Sequence, residues 1–318
     1  MTESADIEGG VWFSPFYAHR SKGTLKGEDR VLKKKPSVYF YMIIPALVLF
    51  FSFHTLPVLQ GIFYSFTNFK GYGNWDFIGF QNYINIFQDD RAYNAYFFTF
   101  KFAIVSTVLV NVISLIIALG LNAKIKFKKT LRGIYFMPNI LSILIVGFIF
   151  NYIFAVFIPD IAENIGLTAL TTSILGSRDY AWVAIVIVAV WQAAAFNTIL
   201  YLAGLATVPH DLYEASSLDG ASTWQNFWHV TFPLIAPFFT INMVLAMKNF
   251  LMVFDHIVAL TGGGPGRSTQ SISLLIYEDG FAGGQFALQS ANAVIYFVII
   301  VTISIFQIRI LQKREVQL

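Results

Sequence analysis

Two ionisable residues interrupt an otherwise apolar run in the last third of the chain. Lys248 and Asp255 lie seven residues apart, so a single helix would place both on one face, with Met252 between them. Charged groups inside a membrane helix are costly and usually face a cavity or a partner group. The spacing indicates a polar path for a solute. For Lys248, the alternative is a side chain that snorkels to the membrane surface or forms a structural ion pair. For Asp255, the alternative is a solvated helix end.

Polar and aromatic residues near this pair extend the candidate path. The ring of Trp191 offers a flat face on which a ring of the solute can stack. We therefore predict a translocation path that combines Lys248 and Asp255 with Trp191, Gln192, Phe196, Asn197, Asn249 and Phe254.

Other chemistries find little support in the sequence. The stretch GGGPGRST (262–269) departs from the phosphate-binding loop pattern because Arg267 follows Gly266; a flexible loop outside the membrane is the better interpretation. The chain has no Cys, and its histidines do not have metal-ligand spacing. We expect no metal, no thiol chemistry and no catalytic cluster.

The composition is that of an all-α membrane protein. Of 318 residues, 56% are hydrophobic and 12% are charged, against about 25% charged in soluble domains. The mean hydropathy is +0.63, and a net charge of +3 leaves no footprint for nucleic acid. A spanning helix needs about 20 apolar residues. The predicted spans are 36–69, 102–123, 133–159, 180–210, 233–257 and 280–308.

The basic residues orient these six spans. Seven Lys and Arg precede Pro36, five lie between Lys124 and Arg132, and three end the chain. Such residues concentrate on the cytoplasmic side, so both termini are predicted to be cytoplasmic. The domains are then a cytoplasmic tail (1–35) and a six-helix transmembrane domain (36–318). The tail is interpreted as an orientation signal at an anionic leaflet rather than a specific partner site.

A polar stretch at 209–233, here the corner segment, lies between the fourth and fifth spans. Pro209 at the first helical position would begin a short helix with an apolar edge. Glu214 suits the helix dipole, and Gly220 is placed for a left-handed end. The edge and its neighbours comprise Leu212, Tyr213, Ala215, Leu218 and Asp219.

A second helix is predicted to follow this glycine. Ser222 and Gln225 have capping-box spacing, and Trp224, Phe227 and Trp228 would lie along the membrane interface. By spacing alone, the segment fits either the groove of a soluble partner or an elbow resting on lipid headgroups.

The corner segment resembles the EAA loop of permease subunits of bacterial ABC importers. It has Glu214-Ala215-Ser216, then Gly220 six residues after Glu214, and, after nine intervening residues, the sequence VTFP at 230–233. Ser216 replaces the second alanine. The stretches LATVPHDLYEASSLDGASTWQNFWHVTFP, FDHIVALTGGGPGRST and FIGFQNYINIFQDD are similar to the sugar-type branch, so the resemblance covers most of the chain from Pro36.

The resemblance implies a type I ABC importer permease of the bacterial cytoplasmic membrane. Its short helix, which here is 209–225 with Glu214 and Gly220 central, would be the coupling helix that docks on an ATPase. The implied partners are a second permease, two ATPase subunits, an extracytoplasmic solute-binding protein and membrane lipid. ATP and Mg²⁺ would bind only to the ATPase partner, and this chain would not be an enzyme. The expected solute is a sugar or oligosaccharide, including an acidic one.

Other functions stay open at this point. One is a permease for a non-sugar solute such as a glycerol phosphate. Another is a self-sufficient secondary transporter, although the sequence shows no internal repeat. A membrane-embedded enzyme would need a nucleophile-base or metal cluster inside the spans.

Overall fold

A computed structural model describes residues 36–123 and 125–313. The predicted tail at 1–35, with its basic residues, lies outside the described residues, as do Lys124 and Arg314. The described residues divide into two compact units, with the boundary between Leu59 and Gln60. The functional residues discussed below all belong to the second unit.

The described residues form helices and connecting turns. In chain order the helices are α1 (Phe40–Tyr64, within a helix that begins at Pro36), α2 (Gln81–Phe87), α3 (Asp90–Asn122), α4 (Lys128–Ile140), α5 (Ile143–Asn164), α6 (Ala181–Thr207), α7 (His210–Leu218), α8 (Thr223–Leu251), α9 (Asp255–Leu260), α10 (Ile272–Tyr277) and α11 (Phe286–Gln312).

Four π-helical segments modify these helices. They lie within α1, α5 and α8 and directly after α10, at Phe51–Thr55, Ile153–Phe157, Phe227–Thr231 and Glu278–Ala282. Two 3₁₀ turns, Thr168–Leu170 and Ile174–Gly176, connect α5 to α6.

Six of the described helices are long and apolar enough to cross a membrane, which confirms the predicted number of spans. They are α1, α3, α5, α6, α8 and α11. The core forms around α6, whose buried positions are mostly small or β-branched residues, because small side chains let membrane helices approach closely. Inside this core, the Tyr201 hydroxyl donates to Asn111 Oδ1 at 2.7 Å and ties α6 to α3.

The second span starts earlier than predicted. Helix α3 begins at Asp90, not at Phe102, and includes Arg91 and Lys101. Its 33 residues extend about 50 Å, which is well beyond the ~30 Å apolar thickness of a bilayer. A helix that protrudes into water tolerates charge, so a search for uncharged stretches misses its first turns.

The third and fifth predicted spans are each broken into two helices. The stretch 133–159 contains the end of α4 and most of α5, with a break at Leu141 and Ser142. The stretch 233–257 contains the later part of α8, which ends at Leu251, and the first turn of α9. Because Phe254 has an extended φ of −141°, Lys248 and Asp255 do not share one helix face. The prediction of a common face was wrong.

Candidate functional site

The corner segment turns sharply at Gly220. Helix α7 ends at Leu218, and Gly220 follows with φ +76°. The Gly220 N–H donates to Ser217 O and the Ala221 N–H to Ser216 O, both at 3.1 Å. This pair of bonds is a Schellman motif, which satisfies the last carbonyls of a helix and favours glycine. The predicted left-handed end at Gly220 is confirmed.

The next helix, α8, starts three residues after Gly220, at Thr223. Ser222 caps α8, the Gln225 side chain accepts from the Ser222 N–H at 2.8 Å, and the predicted capping box is confirmed. The aromatic stretch is not a separate interface helix, because α8 is continuous from Thr223 to Leu251. A π turn bonds the Phe232 N–H to Phe227 O; it directly precedes Pro233, which has no N–H to donate to a carbonyl four residues back.

Two side-chain bonds fix α7 against α8. The Tyr213 and Thr231 hydroxyls are 3.0 Å apart, and the Ser216 hydroxyl donates to Asn226 Oδ1. The start of α7 differs slightly from prediction, since Pro209 has ψ 137° and precedes the first helical residue, His210.

The opposite face of α7 is open. Leu218 is 89% and Leu212 39% exposed. Ala215 on the same edge is exposed as well. Asp211, Glu214 and Asp219 are also exposed, and Glu214 Oε1 lies 3.1 Å from His210 Nδ1. The helix therefore presents an apolar edge bordered by carboxylates while its other face is bonded to α8.

A second site lies where the two helix breaks meet. A cavity of about 510 Å³, here the break cavity, is lined by residues 139 and 141–143, by one face of α6 and by residues 249–250 and 252–256. Breaks in membrane helices expose backbone polar groups, and such breaks are tolerated where they line a cavity.

Gln192 joins the two breaks from α6. Its Nε2 donates to Pro138 O at 3.2 Å and to Leu141 O at 3.0 Å, and its Oε1 lies 3.0 Å from His256 Nε2. The last carbonyls of a helix have no partner within that helix, so Gln192 supplies one to the end of α4. Both of its N–H groups are thereby used.

The second break is also held by side chains. The Tyr296 hydroxyl of α11 donates to Leu251 O, and the Ser271 hydroxyl donates to Val253 O at 2.9 Å. Helices α5 and α9 pack closely beside it: a Cβ on Gly147 would lie 2.3 Å from Ala259 Cβ. Asn151 Nδ2 donates to Leu260 O at 2.8 Å and caps α9. The cavity is therefore built from fixed backbone.

Most predicted path residues line this cavity. Six of the eight do so, namely Gln192, Phe196, Asn197, Asn249, Phe254 and Asp255. The other two do not. The ring centroids of Trp191 and Phe150 are 5.3 Å apart, and Trp191 borders a separate apolar cavity. Lys248 is exposed and lies outside the lining of the break cavity. Inside the cavity wall, buried Asn197 Oδ1 has no partner among the described residues.

The sequence reasoning missed three polar lining residues. Asn139 and Ser142 lie at the first break and His256 at the second. Pro138 gave a signal for the first break, because proline disturbs the middle of a helix. His256 has no comparable signal, since its role depends on the distant Gln192.

The glycine-rich loop at 262–269 is held by internal bonds, whereas the sequence suggested flexibility. Buried Thr269 donates to Gly264 O at 2.7 Å, and its hydroxyl lies 2.8 Å from that of Thr261. No cluster of three or more potential metal ligands occurs in the part of the chain that the structure describes.

Comparison with known proteins places this architecture in a class. A bacterial ABC transporter involved in the import of the acidic polysaccharide alginate has a chain that matches with a TM-score of 0.76 and 22% identity, covering 87% of this chain and 95% of that one. The same type of transporter in complex with an alginate pentasaccharide-bound periplasmic protein matches with a TM-score of 0.75 and 24% identity, covering 85% and 92%. The chain has the fold of an ABC importer permease.

Sequence relatives define the family. The family model "Binding-protein-dependent transport system inner membrane component" matches residues 110–316. The permease protein MsmF of a Streptococcus mutans multiple sugar-binding transport system is 40% identical over 277 residues, which cover 87% of this chain and 95% of MsmF. AmyD of Thermoanaerobacterium thermosulfurigenes, a probable starch degradation products permease, is 37% identical over 280 residues, covering 88% and 96%. This chain belongs to the family of binding-protein-dependent transport system inner membrane components and is a multi-pass transport subunit.

Proposed function

We propose that this chain forms part of the translocation path of an ATP-driven importer for a sugar or oligosaccharide in the bacterial cytoplasmic membrane. A second, similar permease would complete the path, two ATPase subunits would drive it, and an extracytoplasmic protein would deliver the solute. Named sugar-transport relatives support this substrate class. Relatives named for glycerol-3-phosphate transport are only 26–27% identical, so they give less support to glycerol phosphate as the solute.

The observation that carries the proposal is the two-sided α7. One face is fixed to α8 through Tyr213 and Ser216, and the other exposes Leu218 at 89%. An exposed apolar edge on a helix fixed in orientation suits insertion into a groove of another protein. Movement of that partner would pass directly into α8, because Thr231 and Asn226 belong to the same continuous helix that ends at the break cavity.

ATP would thus shift the population between inward-open and outward-open states without binding to this chain. ATPase-coupling roles are assigned to Pro209, Leu212, Tyr213, Glu214, Ala215, Leu218, Asp219 and Gly220. With this surface cytoplasmic, both chain termini would be cytoplasmic as well, in agreement with the basic-residue pattern.

The break cavity would be the solute site. Small-molecule sites are concave, largely apolar and equipped with a few fixed polar groups, with volumes of roughly 300–1,000 Å³. Asn197, Asn249 and Asp255 would bond solute hydroxyls, and the Phe196 and Phe254 rings would contact a sugar face. Gln192 would act as a wall residue, since its donors already bond the protein. Trp191 and Lys248 are assigned no solute contact.

The test is reconstitution of the chain with its second permease and ATPase in liposomes. Leu218→Asp should weaken ATPase association and abolish ATP-driven uptake of maltotriose, used as a neutral oligosaccharide probe, while membrane insertion stays normal. Glu214→Lys should act in the same direction. Leu167→Asp, an exposed apolar position outside the corner segment, is the control and should leave association intact. Normal association of both α7 variants would refute the coupling role.

A further inference from the structure

A basic cavity lies beside the N-terminal ends of α3 and α6. Its volume is about 440 Å³. This basic cavity is lined by four cationic side chains and one carboxylate, namely Arg91, Lys101, Arg178, Arg267 and Asp179. The charge pattern of the sequence places this end of both helices on the extracytoplasmic side.

One of the four cations is already neutralised. Arg91 Nη1 lies 2.8 and 2.7 Å from the two carboxylate oxygens of Asp279, and its Nη2 lies 3.3 Å from Glu278 Oε2. Its Nε donates to Gln270 Oε1 at 2.9 Å. Arg91 therefore forms a rigid wall that joins α3 to the segment after α10, and its charge is not available to a ligand.

The other three cations form no ion pair among the described residues. Lys101 Nζ lies 3.8 Å from the ring centroid of Trp182, a cation–π contact that positions the ammonium group without neutralising it. Arg178 and Arg267 are exposed. Against these three positive charges the cavity carries only the carboxylate of Asp179, so its lining keeps a net positive charge.

The backbone at Arg267 is unusual. Its φ is +66°, a left-handed conformation that is uncommon for residues other than glycine, asparagine and aspartate. The turn is maintained by the bonds from Ser268 N to Pro265 O at 3.1 Å and from Gln270 N to Arg267 O at 3.2 Å. Residues held in sparsely populated conformations cluster at ligand sites. Here the conformation places a guanidinium group at the cavity edge.

The basic cavity lies on the same helix as the break cavity. Trp182 of α6 lines the first, and Ala189, seven residues along, lines the second. Seven helical residues span about 10 Å. A solute that enters from the extracytoplasmic side would reach the basic cavity before the break cavity.

We propose that the basic cavity binds a carboxylate group of an acidic saccharide before the sugar enters the break cavity. The inference rests on the importer function proposed above and narrows its substrate class. The planar guanidinium forks of Arg178 and Arg267 match the two oxygens of a carboxylate. A neutral sugar would leave the net positive charge of the lining uncompensated, because Asp179 is the one carboxylate in it.

Direct binding to the full chain in lipid nanodiscs tests this assignment. The probes are digalacturonate and its dimethyl ester, which has nearly the same shape and no charge. Wild type should bind the acid at least about tenfold more tightly than the ester, since hydrogen bonds to charged groups have about that effect. Raising the salt concentration should weaken binding of the acid only.

Matched variants locate the effect. The triple variant Lys101→Gln, Arg178→Gln, Arg267→Asn should lose the preference for the acid; asparagine is chosen because it tolerates the left-handed conformation. Lys70→Gln, at an exposed lysine outside the cavity lining, should keep it. If the triple variant does not fold, Arg178→Gln alone should reduce the preference several-fold.

Three results would overturn the proposal. The first is equal binding of acid and ester by wild type, and the second is an unchanged preference in the folded variants. The third is that the triple variant loses association with the solute-binding protein but not acid binding, which would mean that the cations contact a carboxylate of that protein. ATPase association and maltotriose uptake are measured in separate experiments. Absence of a preference for the acid would therefore not contradict the importer function, and a failure of the importer function would be seen in those experiments and not in the binding of acid and ester.

Discussion

His256 and Gln192 face each other with Nε2 and Oε1 3.0 Å apart, although 64 residues separate them in the chain. The same glutamine donates to Pro138 O and Leu141 O. One α6 side chain therefore bonds the end of α4 and the beginning of α9. Gln192 thus adds a shared link between the two breaks, beside the bonds from Tyr296 and Ser271 at the second one.

Replacing Gln192 should loosen both breaks. In Gln192→Leu, two carbonyls and a ring nitrogen lose their partner, and each lost hydrogen bond costs about 0.5–1.5 kcal/mol. We expect a lower thermal midpoint in detergent and a large loss of uptake. Gln285→Leu, at an exposed glutamine, is the control. An unchanged midpoint for Gln192→Leu would show that water replaces these bonds.

Local signals in the sequence were sufficient for the corner segment but not for the cavities. The left-handed helix end at Gly220 and the capping box of Ser222 and Gln225 form hydrogen bonds between residues at most five positions apart. The local sequence therefore determines both features. The break at 252–254 is held instead by Tyr296 and Ser271. A span identified by its apolar composition cannot reveal a break whose carbonyls are satisfied by distant side chains.

Substitutions at Gly220 separate backbone strain from steric conflict. A Cβ there would meet no atom within 4 Å, so the cost comes from φ +76°, about 1–2 kcal/mol for an ordinary L residue. Gly220→Val should reduce ATPase association and ATP-driven uptake while the thermal midpoint changes little. Gly220→Asn should retain most of both, because asparagine adopts this conformation. Equal effects of the two substitutions would contradict the role of the left-handed turn.

The break cavity offers two residues whose removal should change uptake and not assembly. Asn249 and Asp255 are exposed on its lining, so truncation leaves no buried group without a partner. We expect Asn249→Ala and Asp255→Ala to raise the solute concentration for half-maximal uptake by about tenfold, the effect of losing one or two hydrogen bonds of ~1 kcal/mol each. Lys248→Ala, outside this lining, is the comparison. Unchanged uptake kinetics in both cavity variants would remove these residues from the solute path.

Gly204 allows α6 to approach α8. A Cβ on Gly204 would lie 2.7 Å from the Phe238 ring, too close unless the helices separate or the ring moves. Gly204→Ala should destabilise the chain by about 1–3 kcal/mol, the usual cost of overpacking, measured as a lower thermal midpoint. Gly120→Ala is a matched control, because Gly120 is also helical and a Cβ there meets nothing within 4 Å; alanine should be neutral or stabilising at that position.

Combining Gly204→Ala with Phe238→Leu should restore part of the lost stability, since the smaller side chain makes room for the methyl group. If the double variant is no more stable than Gly204→Ala alone, the contact between Gly204 and Phe238 does not limit this helix packing.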